Sequence, residues 1–315
     1  APDPQRVRRD RQSTWEPSTA QLYVTNGANV KDDDNLAVPV RLWEGDRYTA
    51  RCENGRSGMG TAPFFDFNRQ EAGVLLAIGW TGQWHAVFDR DHASVRMRSG
   101  IEHAAFRVRP GERFRTGSAA VTTYWRGQDE AHNRWRRFMG EISPLGGKGR
   151  GEQAPFSGIF WGGVPSDRLM ARWEKLLDAG LPLDTCWIDA GWYEPLRAEN
   201  CSGQSAEWPN VGIWEVNKKY HPDGYQDVIR FLRQRHVNFM VWMEPERVRR
   251  SVKEWAKTLP GPDPALDDLL IALNDDSVAD QVIELVSSKI EELHLSCYRQ
   301  DYNILPLEYW LHNDQ

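Results

Sequence analysis

What this sequence has little of narrows its class before any motif is read. No apolar run reaches the roughly 18–20 residues that a membrane-spanning helix needs, so no membrane partner is expected. Basic patches are missing too: 39 Lys and Arg against 45 Asp and Glu leave a formal net charge of −6, with the cations spread along the chain. A nucleic-acid binder usually concentrates them, so no nucleic-acid partner is expected. Cysteine is scarce. Cys52, Cys186, Cys201 and Cys297 lie far apart with no C-x-x-C pair, which points to buried free thiols rather than a zinc site. No metal and no cofactor is expected. The opening APDPQRVRRDRQ is polar and has no apolar stretch of a signal peptide, which leaves cytoplasmic and secreted locations both open. Ala at position 1 fits a processed or excised chain.

Tryptophan, by contrast, is abundant: fifteen in 315 residues. Some of these rings fill cores. Others fit sugar binding, because the apolar C–H face of a hexose stacks on a flat aromatic ring. The length suffices for two domains, each with its own core.

Residues 1–19 read as a polar, flexible N-terminal segment. Residues 20–141 read as a β domain, with short runs rich in Val, Thr and aromatics between turn signals: QLYVTNG, LAVPVRLWEGD, GVLLAIGWTGQWHAVFD, ASVRMRSG, AAFRVRPGERF and AAVTTYWRG. Their spacing predicts an antiparallel β-sandwich, whole or partial, with a helix over 129–139 leaving it. The Gly/Pro-rich stretch 142–155 reads as a linker. Residues 156–315 then alternate strand and helix. Strands are expected at 156–161, 185–188, 238–242 and 296–299. Helices are expected at 167–179, capped by Ser166 and stopped by Gly180, and at 225–235, 251–258 and 276–293. Buried parallel strands in four βα units are half of an eight-fold barrel. The expected fold is thus multidomain: an antiparallel β-sandwich followed by the first half of a (β/α)8 TIM-type barrel.

Three of these strands run into acids. The second gives CWIDAGW, ending on Asp189; the third VWMEPE, on Glu244 and Glu246; the fourth YRQDYN, on Asp301. The C-terminal strand ends of a parallel barrel form its active face. One such acid could simply cap the next helix, but three, each with Trp or Tyr beside it, point to a site. Glycoside cleavage suits carboxylates, since one can attack the anomeric carbon and carry the resulting ester. Arg299, two residues before Asp301, projects to the same side of the sheet. It can lower the Asp301 pKa and bind sugar hydroxyls.

At this point the residues resemble glycoside hydrolase family 36, the microbial α-galactosidases, and more distantly family 27. AIGWTGQW at 77–84 and RPGE at 109–112 resemble motifs of that family's β-sandwich. WIDAGWY, KKYHPDG, VWMEPERV and YRQDYN resemble its barrel motifs, in the same order. The resemblance implies a retaining exo-glycosidase with Asp301 as nucleophile and Asp189 accepting hydrogen bonds from sugar hydroxyls. Trp242 and Glu246 would shape the pocket, Asn303 would bind substrate, Trp161 would stack on the sugar, and Trp192 and Trp214 would either close the pocket or pack in the core. His221 reads as structural. The substrate would be an oligosaccharide or glycoconjugate.

Two positions depart from the family pattern. Ala190 stands where the family has a second acid, and Arg299 stands where it has Lys. A planar fork replaces a point charge at the latter. Both positions contact the sugar in the family, so an amino or N-acetylamino galactoside stays open as substrate. The general acid/base falls on a later strand in the family and is not found in this chain, so a partial sequence is expected. An open half-barrel exposes strand edges and would need its missing half, a partner chain or a homo-oligomer mate. Two other readings remain: a glycosyl-transferring relative of the raffinose-synthase type, and a non-catalytic sugar-binding protein.

Overall fold

The computed structural model describes residues 21–69, 71–92, 94–142, 155–194, 210–250 and 255–314. Residues 1–19, most of the 142–155 linker and Cys201 lie outside them. The chain divides into two compact units, Ala1–Glu152 with Leu305–Leu307, and Gln153–Ile304 with Glu308–Gln315. Among the described residues no helix is long and apolar enough to cross a membrane.

The first unit holds strands β1 (Gln21–Asn26), β2 (Ala37–Arg41), β3 (Arg47–Arg51), β4 (Thr61–Arg69), β5 (Ala72–Gly79), β6 (Trp84–Arg90), β7 (Val95–Ile101) and β8 (Ser118–Tyr124), then helix α1 (Gly127–Ile142). They form two antiparallel sheets, ordered β2-β1-β4-β5-β8 and β3-β6-β7. Period-2 alternation decides which face is buried. On β1, Leu22 and Val24 point into a cluster with Phe65 and Ile78 from the large sheet and Tyr48, Ala50, Trp84 and Phe88 from the small one. Trp84 is fully buried, and its indole N–H donates to the Ser57 carbonyl at 3.0 Å.

Sequence patterning missed β3 and β4. β4 contains Pro63 and Asp66, residues that usually speak against a strand. It also read residues 104–114 as a strand, and this is corrected. That stretch pairs with no strand, and Phe106, Val108 and Phe114 on it are exposed, so the alternation had no core to face.

The second unit runs β9 (Ser157–Phe160), α2 (Ser166–Asp178), β10 (Thr185–Ile188), α3 (Gln226–Arg233), β11 (Asn238–Met243), β12 (Arg247–Arg249), β13 (Thr258–Leu259), β14 (Asp268–Ile271), α4 (Asp276–Glu292), β15 (Cys297–Gln300) and α5 (Leu307–Asn313). The sheet β9-β10-β11-β15 is all parallel and keeps sequence order. One face packs Cys186, Ile188, Phe239 and Val241 against Leu169 and Trp173 of α2 and Val228 and Leu232 of α3. The opposite face is less covered: Ile159 is 46% exposed, and Cys297 is exposed rather than buried as expected.

An antiparallel sheet, β12-β14-β13, interrupts the alternation between β11 and α4. The expected helix over 251–258 falls there. Residues 251–254 lie outside the described residues, and Thr258 is in a strand. Asp275 caps α4, accepting from the Ser277 amide at 3.1 Å, as short polar side chains do at helix starts.

Ser166 does not cap α2, contrary to expectation. The cap position is Pro165. The Ser166 hydroxyl instead lies 2.9 Å from Nδ1 of His221, whose Nε2 meets the Tyr225 hydroxyl at 2.7 Å. His221 is fully buried, so both ring nitrogens are satisfied without charge. Burial pushes its pKa down from 6.5 to about 4, against a smaller opposing pull from the Gly162 backbone.

A depressed histidine pKa means that the unfolded chain binds the proton first as pH falls. Stability from this group is therefore complete above pH 6.5 and is lost on the way down to about pH 4. At about 1.36 kcal/mol per pH unit the loss is roughly 3 kcal/mol. Denaturant unfolding of wild type and His221→Gln between pH 7 and 4 should show the variant's stability falling less steeply. Parallel pH dependences would exclude His221 as the source.

Candidate active site at the strand ends

The site is built by register. Ile188 of β10 is level with Phe160 of β9 and Val241 of β11, and Trp242 is level with Arg299 of β15. Asp189 follows directly, its amide donating to the Phe160 carbonyl at 2.9 Å. Trp161, Asp189, Trp242 and Arg299 therefore form one row across the C-terminal strand ends. By alternation they share the face of Ile159, Trp187, Met240 and Cys297. The Arg299 guanidinium lies over the Trp187 ring, 5.1 Å from its centroid, which fixes that arginine on this face.

Asp301 extends the ladder by one rung, its amide donating to the Met243 carbonyl at 2.9 Å. Donors converge on its carboxylate. Oδ2 accepts from the Trp242 indole at 2.9 Å and from the Asn303 amide at 3.1 Å, with Arg299 Nη1 at 3.3 Å. Oδ1 accepts from the Tyr302 backbone at 2.9 Å. Burial pushes the Asp301 pKa up, but the three hydrogen bonds and the Arg299 charge together outweigh it and hold the carboxyl below its ordinary value. The side chain keeps 31% of its surface open. An ionised, oriented and accessible carboxylate is chemically a nucleophile or a charge stabiliser.

Trp242 is fully buried and reaches Asp301 with its indole edge. It is held from beneath by Trp192, whose Nε1 donates to the Trp242 carbonyl at 2.8 Å, and by Trp214, with ring centroids 6.2 Å apart. Of the two readings open for Trp192, the structure takes core packing and not contact with substrate. Its side chain is fully buried between Tyr193 and Trp214, so it supports Trp242 and presents no surface to a ligand.

Asn303 is exposed. Its side-chain amide serves Asp301, and it also lies 3.4 Å from Glu244. Its backbone amide donates to Glu244 as well. Glu244 is fully buried and accepts from Arg247 Nη2 at 2.6 Å; Arg247 in turn contacts Asp268 at 3.2 Å. A buried carboxylate is tolerable only when paired in this way. The pair ties the loop after β15 to the small sheet. Sequence reading missed Arg247, although Glu244-x-x-Arg247 was in view.

Glu246 is half-buried, and Gln300 donates to it at 2.5 Å. Burial raises its pKa; the Gln300 bond opposes this and the Glu244 charge adds to it. Asp189 is half-buried and its Oδ1 accepts from the Ala190 amide at 2.7 Å. Ala190 is fully buried, so it offers no polar group to a ligand. Gly162 lies against this turn, donating to the Ala190 carbonyl at 2.8 Å. A Cβ on Gly162 would sit 2.6 Å from both the Asp189 carbonyl oxygen and the Trp192 nitrogen, so only glycine allows the approach. Trp161 is half-buried and packs on the core beside it. Among the described residues no group of three His, Cys, Asp or Glu could hold a metal ion.

Several proteins resemble this chain in sequence or in fold. No family model matches the chain. The α-galactosidase Mel36A of Lactobacillus acidophilus is 20% identical over 241 residues, covering 72% of this chain and 32% of that protein. The crystal structure of the α-galactosidase from Lactobacillus brevis superposes with a TM-score of 0.76 at 18% identity, over 90% of this chain and 39% of that one. A variant of the family 36 α-galactosidase AgaA from Geobacillus stearothermophilus, solved in complex with raffinose, gives a TM-score of 0.73 at 17% identity, covering 90% of this chain and 40% of that one. The chain thus resembles family 36 α-galactosidases in sequence and in fold, and spans about a third of the curated relative and two fifths of each structure.

Replacing the Trp242 indole by a ring without N–H removes one bond that favours the charged form. Trp242→Phe should therefore raise the Asp301 pKa. Carbon-13 NMR titration of the labelled aspartate carboxyls would read it; an unchanged or lowered value would show that this bond does not hold the ionised state.

Proposed function

We propose that this chain carries the front part of a retaining exo-glycosidase that hydrolyses terminal α-galactosides or a modified α-galactoside. The observation that carries the reading is the Asp301 carboxylate, held ionised by Trp242, Tyr302, Asn303 and Arg299 at the end of a parallel strand. In the first step an Asp301 oxygen attacks the anomeric carbon while the leaving-group oxygen departs with a proton. In the second, water that has lost a proton attacks the same carbon and releases Asp301. Both proton transfers need a second carboxyl, which we assign to no residue here. The four βα units are read as half of a (β/α)8 barrel, and the two antiparallel sheets as a β-sandwich.

In this reading Asp189 accepts hydrogen bonds from sugar hydroxyls. Arg299 contributes both to the Asp301 charge and to sugar binding, Trp161 offers a stacking face, and Glu246 shapes the wall. The raffinose-bound AgaA variant supports an oligosaccharide as substrate. Ala190 and Arg299, standing where the related pattern has an acid and a lysine, keep 2-amino and 2-acetamido galactosides in play. A transferase of the raffinose-synthase type would use the same Asp301 ester with a sugar acceptor in place of water. A non-catalytic sugar binder would bind without turnover.

In the complete gene product, a mechanism-based galactosyl inhibitor should label Asp301, as read by peptide mass spectrometry. Asp301→Ala should lower turnover by several orders of magnitude while the protein stays folded. Labelling at another carboxyl, or near-wild-type turnover in a folded variant, would remove Asp301 from the mechanism.

Asp189→Asn should weaken sugar binding, since a charge-assisted hydrogen bond contributes about 1.5–3 kcal/mol. A deoxy sugar lacking the partner hydroxyl should lose little further affinity in this variant. Additive losses in that double cycle, measured by titration calorimetry, would mean that Asp189 is not the partner.

A further inference from the structure

The first unit contains a cleft that the strand-end site does not use. It has a volume of about 480 Å³ and opens between α1 and the outer face of the five-stranded sheet, within the roughly 300–1,000 Å³ common for ligand pockets. Its helix wall is Gln128, His132 and Trp135, spaced to lie on one helical face. Its floor is a cross-strand row: Tyr23 pairs with Asp66, and Asp66 with Leu75. Phe64, two residues before Asp66 on the same face, is 40% exposed and meets Trp135 edge-on at 5.8 Å. At one end Ala131 lets the helix close onto Leu75 and Tyr124. Trp135 packs against the same cluster.

The floor is where this packing departs from what stability would select. Asp66 is only 9% exposed in the middle of a sheet face. Its Oδ1 accepts from the Tyr124 hydroxyl at 2.7 Å and its Oδ2 from Gln128 at 3.3 Å. A carboxylate can accept about four hydrogen bonds, so acceptor capacity remains. Burial raises its pKa, against the hydrogen bonds from Tyr124 and Gln128 and the nearby His132. An apolar residue at this position would let a helix pack without that desolvation cost.

We propose that this cleft is a second saccharide site that takes one neutral pyranose ring. The ring's C–H face lies on Trp135, Phe64 stands edge-on at its rim, and its hydroxyl edge meets Asp66, Gln128 and His132. A pyranose has one apolar face and a rim of groups that both donate and accept, which matches aromatic walls around a mixed polar floor. An organic cation would use the aromatic rings and Asp66 but would leave the Gln128 amide and His132 without a role. The cleft shares no residue with the Asp301 site, so sugar binding here does not depend on the activity proposed there.

The test is NMR titration of the complete gene product with methyl α-D-galactopyranoside and methyl α-D-glucopyranoside. It is repeated in an Asp189→Asn, Asp301→Asn background that blocks turnover and weakens sugar binding at the strand-end site. Saturable binding of at least one glycoside should persist in that background. It should weaken by about tenfold or more in Trp135→Ala and measurably in Gln128→Ala. Gln128 is exposed on the helix surface, so its replacement reports on binding even if Trp135→Ala perturbs the helix. The proposal is overturned if that background binds neither glycoside, if Gln128→Ala and a folded Trp135→Ala both bind as tightly as their parent, or if tetramethylammonium binds the cleft more tightly than the sugars.

Discussion

The hydrogen bond from the Asp301 amide to the Met243 carbonyl extends the β11–β15 ladder one rung past the last strand residue. On this rung the candidate site depends. It fixes the side on which the Asp301 carboxylate emerges, two residues beyond Arg299 and within reach of the Trp242 indole. A register slip of one residue would turn the carboxylate to the opposite face of the sheet. The parallel pairing of β9, β10 and β11 places Trp161 and Asp189 in the same row, so four segments distant in sequence arrive at one edge.

Two buried polar networks hold the loops around that edge. Glu244 and Arg247 pair without solvent, and Glu244 also receives the backbone amide of Asn303. The short segment that carries Asp301 is thereby tethered to the small antiparallel sheet. His221 does the corresponding work at the start of α2, joining Ser166 to Tyr225. In both, polar side chains are paired in surroundings of low polarity, where losing a partner is costly. Beneath them, Trp192, Trp214 and Trp242 form an aromatic layer. Trp192 and Trp214 therefore support the site from below.

Much of the parallel sheet was legible in advance because its strands are short apolar runs ending in acids. The bounds of β10 agree with the expectation from TCWI, and β9, β11 and β15 fall within one or two residues of theirs. The β-rich unit was less legible. β4 carries Pro63 and Asp66, and the partners of Asp66, Tyr124 and Gln128, lie more than fifty residues away. The stretch 104–114 has strand-like alternation but no partner strand to make it one.

Sequence by itself determined which carboxylates stand at strand ends, which residues flank them, and that Ala190 and Arg299 replace an acid and a lysine of the related pattern. Those are properties of local order along the chain, written in periodicity and motif. Tertiary structure alone decided what each side chain touches. It buried Trp192 and Trp242 completely, aimed one indole at a carboxylate and the other at a backbone carbonyl, and took Ser166 from helix capping to a histidine. It also opened a cleft over Asp66 on the far side of a sheet. These outcomes turn on contacts between residues tens of positions apart, where burial and pairing set the free energy of a polar group, and no local pattern encodes them.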